Sequence, residues 1–221
     1  MSYPNAIRIL IADDHAIVRH GLRQSLCREE GLTVVAEAEN GRRAAELAAE
    51  HNPDLIIMDV SMPDMNGIEA SLKILKINPG IRIIALSMHP EKQYVLAMMK
   101  SGARGYLVKT NLFEELLTAI RTVMDGNIFL SPEITEHIVD SVIHPGENKE
   151  TPVFYTLSSR EREILQLIAE GRTHSEIAER LFISRKTVDS HKLNIMKKLN
   201  LDSIPALTKF AVKHGITSLD G

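Results

Sequence analysis

Residues 54–59 read DLIIMD, an apolar run with no polar break that ends in a carboxylate. A strand with one wet face alternates polar and apolar residues, so an unbroken run of this kind belongs to a strand covered on both sides. Four more short, mainly apolar runs follow the same plan with isolated polar residues: IRILIA (7–12), TVVAEA (33–38), RIIALS (82–87) and ARGYLVK (103–109). Between them, segments such as 41–51, 66–77 and 91–101 place apolar residues at helical spacing and begin near Gly, Asn or Pro-Glu. The alternation predicts an α/β domain, (βα)5, with a five-stranded parallel, doubly wound sheet.

The whole chain has 221 residues, 44% apolar and 25% charged, with a formal net charge of -3, which excludes extended disorder and polycation behaviour. Its single cysteine, Cys27, makes no internal disulfide and fits a reducing, cytoplasmic setting. No apolar run approaches the roughly 20 residues of a membrane span, and the start MSYPNAIRIL has no export-signal pattern, so neither is expected. Charge is divided along the chain. Residues 1–130 hold 14 Lys/Arg against 16 Asp/Glu, 131–150 hold 1 against 5, and 151–221 hold 11 against 8. A mildly basic last part is compatible with nucleic-acid binding there alone.

In open α/β sheets the ligand site lies beyond the carboxyl ends of the strands. The first run is followed by Asp13 and Asp14, the third ends in Asp59, the fourth in Ser87 and the fifth in Lys109. Three carboxylates at one mouth repel each other unless a cation joins them, and oxygen ligands favour Mg²⁺. The set suits phosphoryl transfer. Asp59, being central, is the candidate nucleophile. Asp13 and Asp14 are candidate metal ligands, Lys109 a partner for phosphoryl oxygens, and Ser87 a hydroxyl donor to them.

On these motifs, IADDH, IIMDVSMPDMNG, ALSMH and GYLVK, residues 6–124 resemble the receiver domain of bacterial response regulators. The resemblance implies that a sensor histidine kinase phosphorylates Asp59 and that the Ser61 backbone carbonyl completes the Mg²⁺ site. It also implies that Tyr106 turns inward as Ser87 closes on the phosphate. The family often has proline after the lysine; here Thr110 stands there. A rival reading is a haloacid-dehalogenase-like phosphatase, which also forms an aspartyl-phosphate. That family has a second acid two residues after its nucleophile, where this chain has Ser61. A DNA-binding protein with a vestigial receiver is a third reading, opposed by the intact acidic pair, Ser87 and Lys109.

The sequence divides into a receiver (1–127), a linker with a short helix (128–153) and a last domain (154–221). Ser131-Pro132 can start the linker helix, running to about residue 143, and HPGENKETP (144–152) breaks it. Ser158 to Glu161 and Thr173 to Glu176 are capping boxes, Ser184 can cap a third helix to about Leu199, and 203–214 forms a fourth. This is a small all-α, four-helix domain. Its second and third helices, joined by a tight turn, have the layout of a helix-turn-helix whose later helix enters the major groove. On that later helix Val188, Ile195 and Leu199 share a packing face with His191 beside it, opposite Lys186, Ser190, Leu193 and Lys197, with Asn194 nearby. The candidate DNA contacts are Arg185, Lys186, Thr187, Asp189, Ser190, His191, Leu193, Asn194 and Lys197.

Residues 157–214, through LSSREREILQLIAEGRTHSEIAERLFISRKTVDSHKLNIMKKLNL, resemble the LuxR-type helix-turn-helix, and the whole chain resembles the NarL/FixJ class of response regulators. The resemblance implies a regulator rather than an enzyme, binding double-stranded DNA as a homodimer when phosphorylated, with the transcription machinery as a further partner. Relatives often carry lysine after Thr-Val where this chain has Asp189, a side chain able to accept from cytosine N4.

Overall fold

The computed structural model describes residues 6–88, 90, 92–135, 156–214 and 216–217. The chain forms two compact units. In the first, strands β1 (Ile7–Ala12), β2 (Leu32–Ala38), β3 (Leu55–Asp59), β4 (Arg82–Ser87), β5 (Gly105–Val108) and β6 (Phe129–Leu130) make one sheet in the order β2-β1-β3-β4-β5-β6. Every pairing is parallel. Helices α1 (Ala16–Leu26), α2 (Gly41–His51), α3 (Gly67–Ile77), α4 (Lys92–Lys100) and α5 (Leu112–Met124) connect the strands.

Both faces of the central strands β3, β4 and β5 are dry, as their apolar runs require, while the edge strands β2 and β6 are half-buried. Ile9, Ile11, Ile57, Leu86 and Leu107 form one core with Leu22 and Leu26 of α1 and Leu116, Ile120 and Val123 of α5. Their strand neighbours Leu10, Ile56, Met58, Ile83 and Ala85 point the other way and are equally buried. Ala44 and Leu47 of α2, Ile68 and Ile74 of α3, and Val95 and Met98 of α4 are buried as well. Parallel strands need long crossovers, and the helices supply them while covering the sheet. Asn40 and Asn66 cap α2 and α3, each side chain accepting from a backbone N–H three residues on, Arg43 and Glu69.

The sheet has six strands where the apolar runs predict five. The additional strand lies within residues 128–153, assigned to the linker from sequence: Phe129 N–H donates to Arg104 and Ser131 N–H to Tyr106. A two-residue edge strand carries no periodic signal, and its shortness limits the unpaired edge it exposes. A helical turn follows at 132–135, with Thr135 N–H donating to Ser131. The rest of the expected linker helix and the 144–152 break lie outside the described residues. The 109–110 bond is trans, since no described peptide is cis.

The second unit holds α6 (Ser159–Ala169), α7 (His174–Arg180), α8 (Arg185–Leu199) and α9 (Ile204–Lys213). Both expected capping boxes are formed, Ser158 with Glu161 and Thr173 with Glu176, and Ser184 accepts from Thr187 N–H at the start of α8. Gly171, at φ 78, ends α6 in the left-handed region that an L side chain disfavours. Ile164, Leu165, Ile168, Ile177, Val188, Ile195 and Leu207 are buried. Lys198 Nζ, 2.7 Å from Glu161 Oε2, ties α8 to α6.

Candidate functional site

The strand order reverses between β1 and β3, and the candidate carboxylates stand at that switch. Asp59 is the last residue of β3 and Asp13 follows β1, where its N–H donates to Ala38. Both are buried, at 2% and 0% exposure, and Asp14 is partly open. Lys109 leaves β5 in a 3-10 turn, and its Nζ reaches Asp59 Oδ2 at 2.6 Å and Asp13 Oδ2 at 2.7 Å. One ammonium thus bridges carboxylates from two other strands. Ser61 N–H donates to Asp59 Oδ1 at 3.2 Å. Ser87 is buried at the end of β4, and Tyr106, in β5, is fully buried.

Asp13, Asp14, His15 and Asp59 each offer a ligand atom, all within 4.8 Å of one another. His15 was not among the residues drawn from sequence. Its Nδ1 lies 2.7 Å from Asp14 Oδ1 and 3.3 Å from Asp13 Oδ1. Nothing in the sequence separates it from an ordinary surface histidine, since its place beside the carboxylates depends on how the chain turns into α1. Three clustered carboxylates are hard oxygen donors and fit a small divalent cation.

Burial pushes the Asp59 carboxyl up to about 7, with Lys109 opposing the rise and Asp13 adding to it. Burial acts to lower the Lys109 ammonium, but the charges of Asp59 and Asp13 outweigh it and hold lysine above its usual value. The sign of the linkage follows from Asp59. Between its ordinary 3.8 and about 7, the folded protein keeps a proton that the unfolded chain has lost. Its contribution is therefore greatest at the acid end and is lost as pH rises through that window, by up to about 1.4 kcal/mol per pH unit. In magnesium-free buffer, the wild type should lose stability relative to Asp59→Asn between about pH 4.5 and 7. Urea midpoints measured for both proteins across that range check this; a constant difference would refute it.

In the second unit Arg185, Lys186, Ser190, Leu193, Asn194 and Lys197 of α8 are exposed, and Thr187, Asp189 and His191 are half-buried. Val188 and Ile195 face the core, with Leu199 half-buried at the end of the same face. Helical projection therefore separated the two faces of α8 correctly. Asp189 Oδ1 lies 2.7 Å from Nδ1 of His174, the first residue of α7, a pairing across the turn that sequence reading did not reach.

A doubly wound domain with this acidic mouth and a helical unit with a capped helix-turn-helix have the make-up of a DNA-binding regulator. Residues 9–121 match the response regulator receiver domain, and residues 155–211 match the bacterial regulatory proteins of the luxR family. The oxygen regulatory protein NreC of Staphylococcus epidermidis is 42% identical over 212 residues, covering 94% of this chain and 97% of that protein. The RcsB response regulator of Salmonella typhimurium, in a structure described as showing conformational dynamism for DNA interaction, is 28% identical with a TM-score of 0.66. It covers 95% of this chain and 98% of its own. A structure of two RcsB dimers bound to two parallel DNAs is 29% identical, with a TM-score of 0.58, over 93% of this chain and 98% of its own. The chain belongs to the NarL/FixJ-type response regulators, which join a receiver to a LuxR-type DNA-binding domain. It is a transcriptional regulator by family, which sets aside the phosphatase reading.

Proposed function

We propose that a sensor histidine kinase transfers a phosphoryl group to Asp59 and that this switches sequence-specific DNA binding by the last domain. The observation that carries the reading is the Lys109 bridge between Asp59 and Asp13 at the strand ends of a chain that also holds a helix-turn-helix. In the transfer, an ionised Asp59 oxygen forms the O–P bond while the donor histidine's N–P bond breaks and the imidazole keeps the electron pair. Mg²⁺, held by Asp13, Asp14, Asp59 and the Ser61 carbonyl, would neutralise charge on the phosphoryl oxygens. Lys109, already 2.6 Å from Asp59, pairs with those oxygens, and Ser87 donates to them. Ser87 and Tyr106 then repack around the modified residue and favour the DNA-competent state.

In this reading the receiver occupies residues 1–127 and adds β6 to its sheet, the connector runs to about residue 153, and 154–221 reads double-stranded DNA. The phosphorylated protein binds as a homodimer, for which the DNA-bound RcsB dimers are the precedent, with the last helix near 203–214 at the contact. Its place of action is the cytoplasm, and the transcription machinery is a further partner. Arg185, Lys186, Thr187, Asp189, Ser190, His191, Leu193, Asn194 and Lys197 form the reading surface. The test is recovery of fragmented genomic DNA with Mg²⁺, with and without a small phosphodonor. Enrichment of particular sites by phosphodonor supports the reading, and recovery of no DNA under any condition overturns it.

Lys186 and Lys197 are exposed on α8, and as phosphate contacts each releases counterions on binding. Lys186→Ala and Lys197→Ala should each weaken binding and flatten the slope of log affinity against log salt by about 1. Fluorescence anisotropy titrations at several salt concentrations read this, and slopes equal to wild type in both variants would remove them from the phosphate contacts.

A further inference from the structure

Asp189 occupies an awkward place for a DNA-reading residue, because a carboxylate near the groove meets the phosphates of both strands. On its own helix Arg185, Lys186 and Lys192 lie one turn away, at spacings where opposite charges ordinarily pair. Yet the carboxylate is directed across the turn to His174, with Oδ1 2.7 Å from Nδ1. The histidine stands on a fixed base. It is the first residue of α7, directly after the Thr173 cap, whose N–H donates to Glu176 Oε2 at 2.7 Å, and α7 is seated by buried Ile177 and Ala178. Asp189 Oδ2 accepts no hydrogen bond among the described residues, and the side chain remains 47% exposed.

We propose that His174 is a positioning residue that aims Asp189 at cytosine in the major groove, making the pair a determinant of operator sequence. The inference rests on the DNA-binding reading of α8. The imidazole Nδ1 sits 2.7 Å from one carboxylate oxygen and restricts the rotation of Asp189. The second oxygen is a pure acceptor and matches the N4 amino donor that cytosine presents in that groove. Guanine and thymine offer acceptors there, so the same oxygen repels them, and adenine sets its N7 acceptor beside its N6 donor, which disfavours a carboxylate. The partner helix thus contributes to base choice without itself touching a base.

The test uses full-length protein with Mg²⁺ and phosphodonor, selecting from randomised double-stranded sites, followed by sequencing of the bound fraction. Wild type should enrich cytosine by about tenfold at one position of each half-site, the scale of a single base-edge contact. Asp189→Ala should lose that preference while other positions keep theirs. His174→Ala should weaken discrimination at the same position only, and His174→Asn, whose amide N–H replaces Nδ1–H, should restore it. Thermal unfolding of each variant separates aim from folding. A His174→Ala protein that melts earlier but selects the wild-type sites overturns the positioning role. Unchanged selection by Asp189→Ala overturns the base contact itself. If the wild type enriches no sequence, the DNA-binding reading fails, and this inference fails with it.

Discussion

Asp59→Asn should take up no phosphoryl group from a small phosphodonor, and its recovery of DNA should be the same with and without that donor. The substitution keeps shape and removes chemistry. An amide oxygen can still accept from Ser61 N–H, which lies 3.2 Å from Asp59 Oδ1 in the wild type. It has no electron pair basic enough to attack phosphorus at neutral pH. Removing the charge also leaves Lys109 with Asp13 as its one carboxylate partner of the two it now bridges. The effect is a loss of labelling to background, read by intact-mass spectrometry with wild type alongside. A variant that labels as fully as wild type would place the phosphoacceptor elsewhere and remove Asp59 from the switch.

What the sequence makes legible here is what the chain repeats or ends abruptly. β3 and β4 announce themselves because double-sided burial leaves no polar position in Leu55 to Met58 or Ile83 to Leu86, and β1, β2 and β5 are legible as mainly apolar runs around isolated polar residues. The site residues are legible for the same reason: Asp59 and Ser87 interrupt apolar runs, and Lys109 follows one. What escapes is pairing over long separations. The Lys109 to Asp59 contact spans 50 residues and follows only once the sheet order is known. β6 is visible through two backbone hydrogen bonds, not through its two side chains. Likewise the His174–Asp189 and Lys198–Glu161 pairs depend on how two helices cross, which residue spacing along the chain does not give.

Gly67 sits where the backbone itself sets the position of the candidate nucleophile. It is the first residue of α3, its N–H donates to Val60 at 2.9 Å, and α3 starts against the end of β3. An ideal Cβ at this position would lie 2.0 Å from the Asp59 carbonyl oxygen and 3.0 Å from both the Asp59 carbonyl carbon and Met58 Cγ. The carbonyl cannot turn away freely, because Asp59 is paired with Leu86 in the sheet and Val60 N–H donates to Leu86. Either α3 shifts outward or the end of β3 bends, and both move Asp59 relative to Lys109. Gly67→Ala should therefore destabilise the first unit by about 3 kcal/mol or more, at the upper end of overpacking costs, and lower the rate of phosphoryl uptake with it. Gly126→Ala is the control. Its φ of 88 strains an alanine, but an added Cβ there meets nothing within 4 Å, so its cost should stay near 1 kcal/mol. Urea unfolding of the full chain, followed by a probe in the first unit, compares the two. A Gly67→Ala midpoint no lower than that of Gly126→Ala would show that the end of β3 yields readily, and the rigid placement of Asp59 argued here would be wrong.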